Sequence, residues 1–339
     1  MIRVLVADDS ATLRSALSAL LAEDPQISVV GEARDGVEAV SMARALRPDV
    51  ITMDVNMPRL DGLGATAAIM ADSPARVLVI SSVSEHREQE LSFKAMAAGA
   101  LELIAKPASG DMRAWGRKLA ESIRLMAEVP VVRRHRFAAR PLPASLAHAG
   151  AVDVIGMVAS TGGPPALAQV LGDLPGDLCA PLLFAQHIAE GFTAGLVRWF
   201  SGCCKLKVRI ARTGDAPRPG TVYLPPDGCD LEIDEEGLLR APRAPGPHYP
   251  SGNRLLASLA HVHGARAAGF VLTGMGDDGA QGLLALRNAG GATFAQDEST
   301  SVVYGMPQAA LACGAARSQL ALEQVAPAIL SLCRKGTSK

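Results

Sequence analysis

The stretch Val152–Gly163, VDVIGMVASTGG, sets a hydroxyl at the end of an apolar run. Val152 to Val158 reads as a buried strand, Ser160 follows, and Gly162 and Gly163 come directly after it. Open α/β sheets bind their ligands at the carboxyl ends of parallel strands. Glycines there let the backbone approach a substrate and aim N–H groups at it, so such a turn either cradles a phosphate or supports a nucleophile. Two later runs bear on the choice. PLLFAQH ends at His187, and AGFVLTGMGDDG ends on Asp277 and Asp278. Ser160, His187 and one of Asp277 and Asp278 are the parts of an activated serine: a nucleophile, a base that takes its proton, and an acid that orients the imidazole. A dinucleotide site would need GxGxxG after the first strand and an acid ending the second. This chain has GMVASTGG and Gln186–His187. The GxSxG elbow is absent too, because Val158 and Gly162 occupy its outer positions.

A second set of polar residues stands where the N-terminal runs stop. Asp8 and Asp9 end the first, Asp54 the third, Ser81 and Ser82 the fourth, and Lys106 the fifth. In a parallel sheet these tips share one edge. Three carboxylates there repel one another and favour a hard dication, Mg²⁺ above all. A lysine and a hydroxyl beside them suit a phosphoryl group carried on one carboxylate. A single strand-ending Asp would be read as a helix cap; the ordered set is not explained that way.

The elements that must position these groups follow from periodicity. Residues 1–107 alternate β-branched runs (IRVLVA, ISVVGEA, DVITMD, RVLVISS, LELIAKP) with stretches such as Leu13–Ala22 and Val37–Leu46 that are apolar at helical spacing. That alternation predicts a parallel sheet with helices on both faces, a flavodoxin-like (βα)5 domain. A sixth helical segment is expected near Asp111–Ala127. Residues 129–150 hold four arginines (Arg133, Arg134, Arg136, Arg140), three prolines and no acid after Val129, and read as a linker. From Ala151 a second, doubly wound and mostly parallel α/β pattern begins. Within it Thr221–Ala241 reads as an antiparallel hairpin region with Asp-Gly and Glu-Gly turns. The expected domains are 1–122, a linker 123–150, and 151–337.

Composition narrows the class of function. With 339 residues the chain can bury two cores. A net charge of −1 and 4% aromatics give no footing for nucleic acid or an anionic membrane. The N-terminus MIRVLVADDS is neither a signal peptide nor a membrane span. The cysteines, Cys179, Cys203, Cys204, Cys229, Cys313 and Cys333, lack CxxC spacing, so neither zinc nor a disulfide framework is expected. The expectation is a reduced, cytoplasmic, monomeric enzyme without membrane insertion.

Residues 1 to about 122, with the segment DVNMPRLDG from Asp54 to Gly62, resemble the receiver domain of two-component response regulators. The segments ASTGGP, FAQH, LTGMGDDGAQG, AQDEST and YGMPQAA resemble the CheB family of chemotaxis protein-glutamate methylesterases, and the fusion covers nearly the whole chain. The resemblance implies Asp54 as phosphoacceptor for a CheA-type histidine kinase. It also implies that Asp9 ligates Mg²⁺ directly, Asp8 through water and Asn56 through its carbonyl, with Ser81 and Lys106 contacting the phosphoryl group. In the second domain it implies a triad of Ser160, His187 and Asp278, supported by Thr161 and the Met275 N–H, with no cofactor. The substrate would be glutamate γ-methyl esters on methyl-accepting chemoreceptors, with deamidation of receptor glutamines by the same chemistry. Phosphorylation would open a catalytic face that the unphosphorylated receiver covers. The chain departs from the usual pattern at Leu103, where an aromatic is common, and at IAEGFT after His187. It departs again in PPDGCDL, which has Asp230 at a usual His, and in HYPSGNRLL. These segments point to an alternative, non-flagellar chemosensory array. The rival readings are a regulatory binding protein with a degenerate hydrolase domain and a nicotinamide-dependent reductase.

Overall fold

A computed structural model describes residues 1–82, 86–107, 111–129, 151–245 and 249–333. The chain divides into two compact units, Met1–His135 and Arg136–Lys339.

The first unit is a five-stranded sheet in the order β2-β1-β3-β4-β5. The strands β1 (Ile2–Ala7), β2 (Ile27–Ala33), β3 (Val50–Asp54), β4 (Arg76–Ser81) and β5 (Glu102–Ala105) alternate with helices α1 (Ala11–Ala22), α2 (Gly36–Leu46), α3 (Gly62–Asp72), α4 (His86–Ala98) and α5 (Met112–Ala127). All the pairings are parallel. Every residue of β3 is buried, as a central strand covered on both faces requires. Four helices start on side-chain caps supplied by Ser10, Asp35, Asp61 and Asp111. The segment expected as a sixth helix is the fifth, α5. It runs past residue 122 because Leu119, Ala120, Ile123 and Met126 stay on one buried stripe. The expected domain boundary at 122 therefore falls inside a helix. Most of the expected linker, residues 130–150 with its four arginines, lies outside the described residues, as do residues 334–339 at the chain's end.

The second unit is a seven-stranded parallel sheet in the order β14-β13-β12-β6-β7-β9-β8. Its strands are β6 (Val154–Ala159), β7 (Leu182–Gln186), β8 (Lys207–Ile210), β9 (Thr221–Leu224), β12 (Ala267–Val271), β13 (Ala292–Gln296) and β14 (Ser318–Leu320). Helices α6 (Gly163–Gly172), α7 (Thr193–Cys203), α8 (Gly252–Val262), α9 (Ala280–Asn288), α10 (Met306–Ala312) and α11 (Leu322–Cys333) cover it. The chain works outward from β6 through β7 to one edge, then resumes on the other side of β6 at β12. That reversal leaves a crevice at the carboxyl ends of β6 and β12, where ligands bind in doubly wound sheets.

Three expectations are corrected here. Thr221–Ala241 is not one antiparallel region: β9 joins the parallel sheet between β7 and β8, and only β10 (Glu232–Ile233) and β11 (Leu239–Arg240) pair antiparallel. All four residues of β9 are buried, so its pairing is set by what packs on it, which turn signals do not report. The edge strand β14 was not anticipated, having three residues of which two are polar. Cys179 and Cys333 form a disulfide, with Cα atoms 5.7 Å apart. The two lie 154 residues apart, so no spacing rule could reveal them; the fold delivers the end of α11 to the segment before β7.

Candidate active site and acidic cluster

The parallel register of β6 and β7 pairs Ala159 with Gln186, which brings the next residues, Ser160 and His187, to one edge. The His187 N–H donates to Ala159 O at 3.0 Å. From the other side Ser160 N–H donates to Thr273 O, just beyond β12, at 3.0 Å. Gly274 packs so close that a Cβ there would lie 2.8 Å from Ser160 Cβ and 2.3 Å from Met306 Sδ. The serine is thus held between two strand ends.

His187 Nε2 lies 2.8 Å from Asp278 Oδ2, both side chains being about one-fifth exposed. No hydrogen bond joins Ser160 Oγ to the imidazole; the strand register sets them side by side. Asp278 is fixed by the start of α8. The Gly252 N–H donates to Oδ2 at 2.6 Å, and Asn253 N–H to Oδ1 at 2.9 Å. Its own neighbour Gly279 donates to Oδ1 at 3.0 Å, and the Ser251 hydroxyl lies 3.3 Å away. Burial pushes this carboxyl upward, but the bond to His187 and the two α8 amides outweigh it and hold the group below its usual value. A helix N-terminus favours a negative charge for the same reason.

The turn after Ser160 leaves backbone donors open. Gly163 N–H bonds back to Ser160 O at 2.8 Å, and Pro164 and Pro165 have no N–H to offer. Among the described residues, the N–H groups of Thr161, Gly162 and Met275 donate to nothing. Two of these three belong to residues singled out from the sequence as support.

Sequence reasoning missed the residues behind this edge. Gln186 is 2% exposed, and its Nε2 donates both to Ser160 O at 3.0 Å and to His187 O at 2.7 Å. One amide thereby ties the two carbonyls together. Its Oε1 occupies the space a Cβ of residue 163 would need, at 2.1 Å, which accounts for glycine there. Thr273 donates its hydroxyl to Thr161 O at 2.9 Å and receives Val303 N–H at 2.9 Å, while Gln296 Oε1 accepts the Thr273 N–H at 2.8 Å. A buried polar residue ending an apolar strand was the available signal, and for Gln186 it was read only as evidence against a nucleotide.

In the first unit Asp8, Asp9 and Asp54 offer carboxylate oxygens all within 4.8 Å of one another. Lys106 Nζ reaches Asp54 Oδ1 at 2.7 Å and Asp8 Oδ2 at 3.3 Å. Burial, only partly countered by Lys106 and reinforced by Asp8 and Glu88, pushes the Asp54 carboxyl up to about 6. Asp8 Oδ2 is buried and makes no well-formed hydrogen bond, the Lys106 ammonium being its one polar neighbour. A buried, under-satisfied carboxylate oxygen beside two more carboxylates fits a hard divalent cation. Asn56 is exposed two residues beyond Asp54. Ser81 is fully buried, and its hydroxyl lies 3.2 Å from Glu88 Oε1 and 2.8 Å from Ser92 Oγ, both on α4. It is engaged with the helix and not with Asp54.

Comparison with known proteins assigns this architecture. Residues 155–329 match CheB methylesterase, and residues 4–115 match the response regulator receiver domain. A relative from Myxococcus xanthus, a protein-glutamate methylesterase/protein-glutamine glutaminase, is 56% identical across 98% of this chain and 94% of its own length. The chain belongs to the CheB methylesterase family. A Pyrococcus abyssi protein of the same description is 36% identical over 96% of this chain and 91% of its own. The crystal structure of the Thermotoga maritima CheB methylesterase catalytic domain superposes with a TM-score of 0.51 at 28% identity, covering 54% of this chain and 99% of that one. Within this CheB methylesterase the departures at Asp230 and in PSGNRLL are partners. Asp230, 1% exposed, accepts Ser251 N–H at 2.7 Å, and Arg254 Nη1 lies 3.2 Å from its other oxygen. The buried carboxylate of Asp230 thus comes with its own cation, and both secure the start of α8.

Proposed function

We propose that this chain is a phosphorylation-controlled protein-glutamate methylesterase and protein-glutamine glutaminase with Ser160 as nucleophile. The observation that carries the reading is the 2.8 Å His187 Nε2–Asp278 Oδ2 pair beside Ser160 at an edge with open amides. The carboxylate accepts a hydrogen bond from Nε2–H, so Nδ1 keeps the lone pair and is the base. Nδ1 takes the proton of Ser160 Oγ as that oxygen attacks the γ-carbonyl of a glutamyl methyl ester. The tetrahedral oxyanion accepts hydrogen bonds from the Thr161 and Met275 N–H groups. Collapse expels methoxide, which takes the proton from His187 and departs as methanol, and a γ-glutamyl ester remains on Ser160. Water, deprotonated by the same nitrogen, then releases glutamate and restores the hydroxyl. A glutamine amide follows the same course with ammonia as leaving group. The substrate protein is a chemoreceptor of the cytoplasmic chemosensory machinery.

In the receiver unit Asp54 accepts a phosphoryl group from a histidine kinase, and Lys106 pairs with it. Asp8, Asp9, Asp54 and the Asn56 carbonyl would hold Mg²⁺, which supplies charge neutralisation for phosphoryl transfer when bound. Ser81 must leave Glu88 and Ser92 to reach the phosphoryl oxygens, which couples α4 to the modification.

The test is methanol release from membranes bearing methylated receptors, with the wild-type protein and Ser160→Ala. Release by the wild type and none by the variant is expected. Equal rates from the two proteins would overturn the assignment of Ser160.

A further inference from the structure

We propose that a basic groove at the β8 edge of the catalytic unit docks an acidic segment of the protein substrate, separately from the serine. The proposal rests on the glutamate-ester reading above. The groove has a volume of about 300 Å³ and is lined by Lys207, Arg209, Arg212 and Arg218, with Asp215 the one acid. Lys207 and Arg209 alternate along β8 and share a face with their partners on β9, Thr221 and Tyr223. Those two are buried and form the floor. The far wall is the loop after β8, which is tied down at several points. Its Gly214 N–H donates to Leu239 O at 2.9 Å, Asp215 O accepts Leu239 N–H at 2.9 Å, and Arg218 N–H donates to the Tyr223 hydroxyl at 3.1 Å.

Four cations in a chain of net charge −1 are a local concentration, not a reflection of overall composition. Among the described residues none of the four enters an ion pair. In the same unit Arg254 and Arg266 do have carboxylate partners. The groove holds its guanidinium groups on an anchored frame with Asp215 as the one counter-charge to four cations, and planar forks of this kind match carboxylates. The reaction itself selects the partner. Each turnover converts a neutral ester or amide into a carboxylate, so a segment that is a substrate at one position carries glutamates at others. In the order β6-β7-β9-β8, β8 stands three strand spacings aside from β6, and the register sets Arg209 level with Gly156, four residues short of Ser160, a span of roughly 20 Å. About thirteen residues of helix cover that span. An acidic stretch within that reach of the ester can occupy the groove while the ester sits at the serine. Docking of this sort changes KM and salt dependence.

The experiment uses the full chain and two synthetic peptides with one γ-methyl glutamate. One carries four glutamates centred about thirteen residues from the ester, and in the other glutamines replace them. The expected result is a KM about tenfold lower for the acidic peptide at low salt, an advantage that disappears in 0.5 M salt by about the extent that screening predicts. In Arg209→Glu/Arg218→Glu the ratio of the two KM values falls to about one, and Arg209→Lys/Arg218→Lys restores part of it. Equal KM ratios in wild type and the reversed variant would overturn the proposal. Displacement of the acidic peptide by equimolar inorganic pyrophosphate would also overturn it, in favour of a phosphate ligand. Fluorescence anisotropy of both peptides on Ser160→Ala measures docking without turnover. Absence of hydrolysis with intact binding would therefore count against the esterase reading and leave the groove standing.

Discussion

Gln186 bears on catalysis without being able to touch the reacting atoms, since its amide is spent on the carbonyls of Ser160 and His187. Gln186→Leu keeps most of the volume and strips both donors; Ser160 O keeps the Gly163 N–H while His187 O loses its amide partner, at a cost of about 1–3 kcal/mol. The expected outcome is a kcat lower by roughly 10- to 100-fold with little change in KM. Gln186→Glu separates positioning from packing. Only its protonated form has an O–H to donate, so its activity relative to wild type should rise as pH falls. A Leu variant with wild-type kcat would dismiss the role. Gly274→Ala acts from the other side: the added methyl would meet Ser160 Cβ and the Met306 sulfur. We expect it to reduce kcat by about tenfold or more, because an ångström-scale displacement of a nucleophile is that costly. Stopped-flow hydrolysis of a small activated ester, with melting temperatures in parallel, checks both. The strand-ending serine, histidine and aspartate were legible because apolar runs announce where they stop. Thr273 and the Asp278-binding amides of Gly252 and Asn253 were not. Backbone donors have no residue signature, and α8 lies 26 and 25 positions before the acid it holds.

At the scale of elements, the parallel strands were readable from β-branched runs and the receiver helices from spacing and Asp caps. The exceptions were β14 and the extent of the β10–β11 ribbon. They depend on tertiary cover and not on local pattern. The edge strand β5 carries a titratable group that reports on this packing. Burial pushes the Glu102 carboxyl up to about 7, with Lys118 on α5 countering it only in part. Its folded value is above the unfolded one, so the folded state binds the extra proton. The associated stability is complete below about pH 4.5 and is lost as pH rises through about 7. Glu102→Gln should therefore match wild type at pH 5 and exceed it at pH 8 by about 2 kcal/mol, discounted for partial exposure. Urea titrations at the two pH values measure this. A variant no more stable at pH 8 than at pH 5, relative to wild type, would show that the carboxyl is not desolvated.

Across the whole molecule, one architectural rule is applied twice: a parallel sheet gathers polar strand ends on one edge and apolar packing fixes them there. The acidic edge holds Asp54 in one compact unit and the nucleophilic edge holds Ser160 in the other. This division supports the proposed reading of the Ser160 turn, since an acidic cluster with a lysine suits phosphoryl transfer and a bonded His–Asp pair suits acyl transfer. If Asp54 controls Ser160, the two chemistries must separate cleanly by mutation. Acetyl phosphate with Mg²⁺ should raise methanol release by wild type, leave Asp54→Asn at its unstimulated rate, and give none with Ser160→Ala. Labelling by a radioactive phosphodonor should show the opposite pairing, present in Ser160→Ala and absent in Asp54→Asn. Lys106→Ala should still label, because the acceptor oxygen is intact, yet stimulate poorly, because the cation that reads the phosphoryl group is gone. An Asp54→Asn protein that acetyl phosphate stimulates as fully as wild type would break the link between the two edges while leaving the esterase chemistry of Ser160 in place.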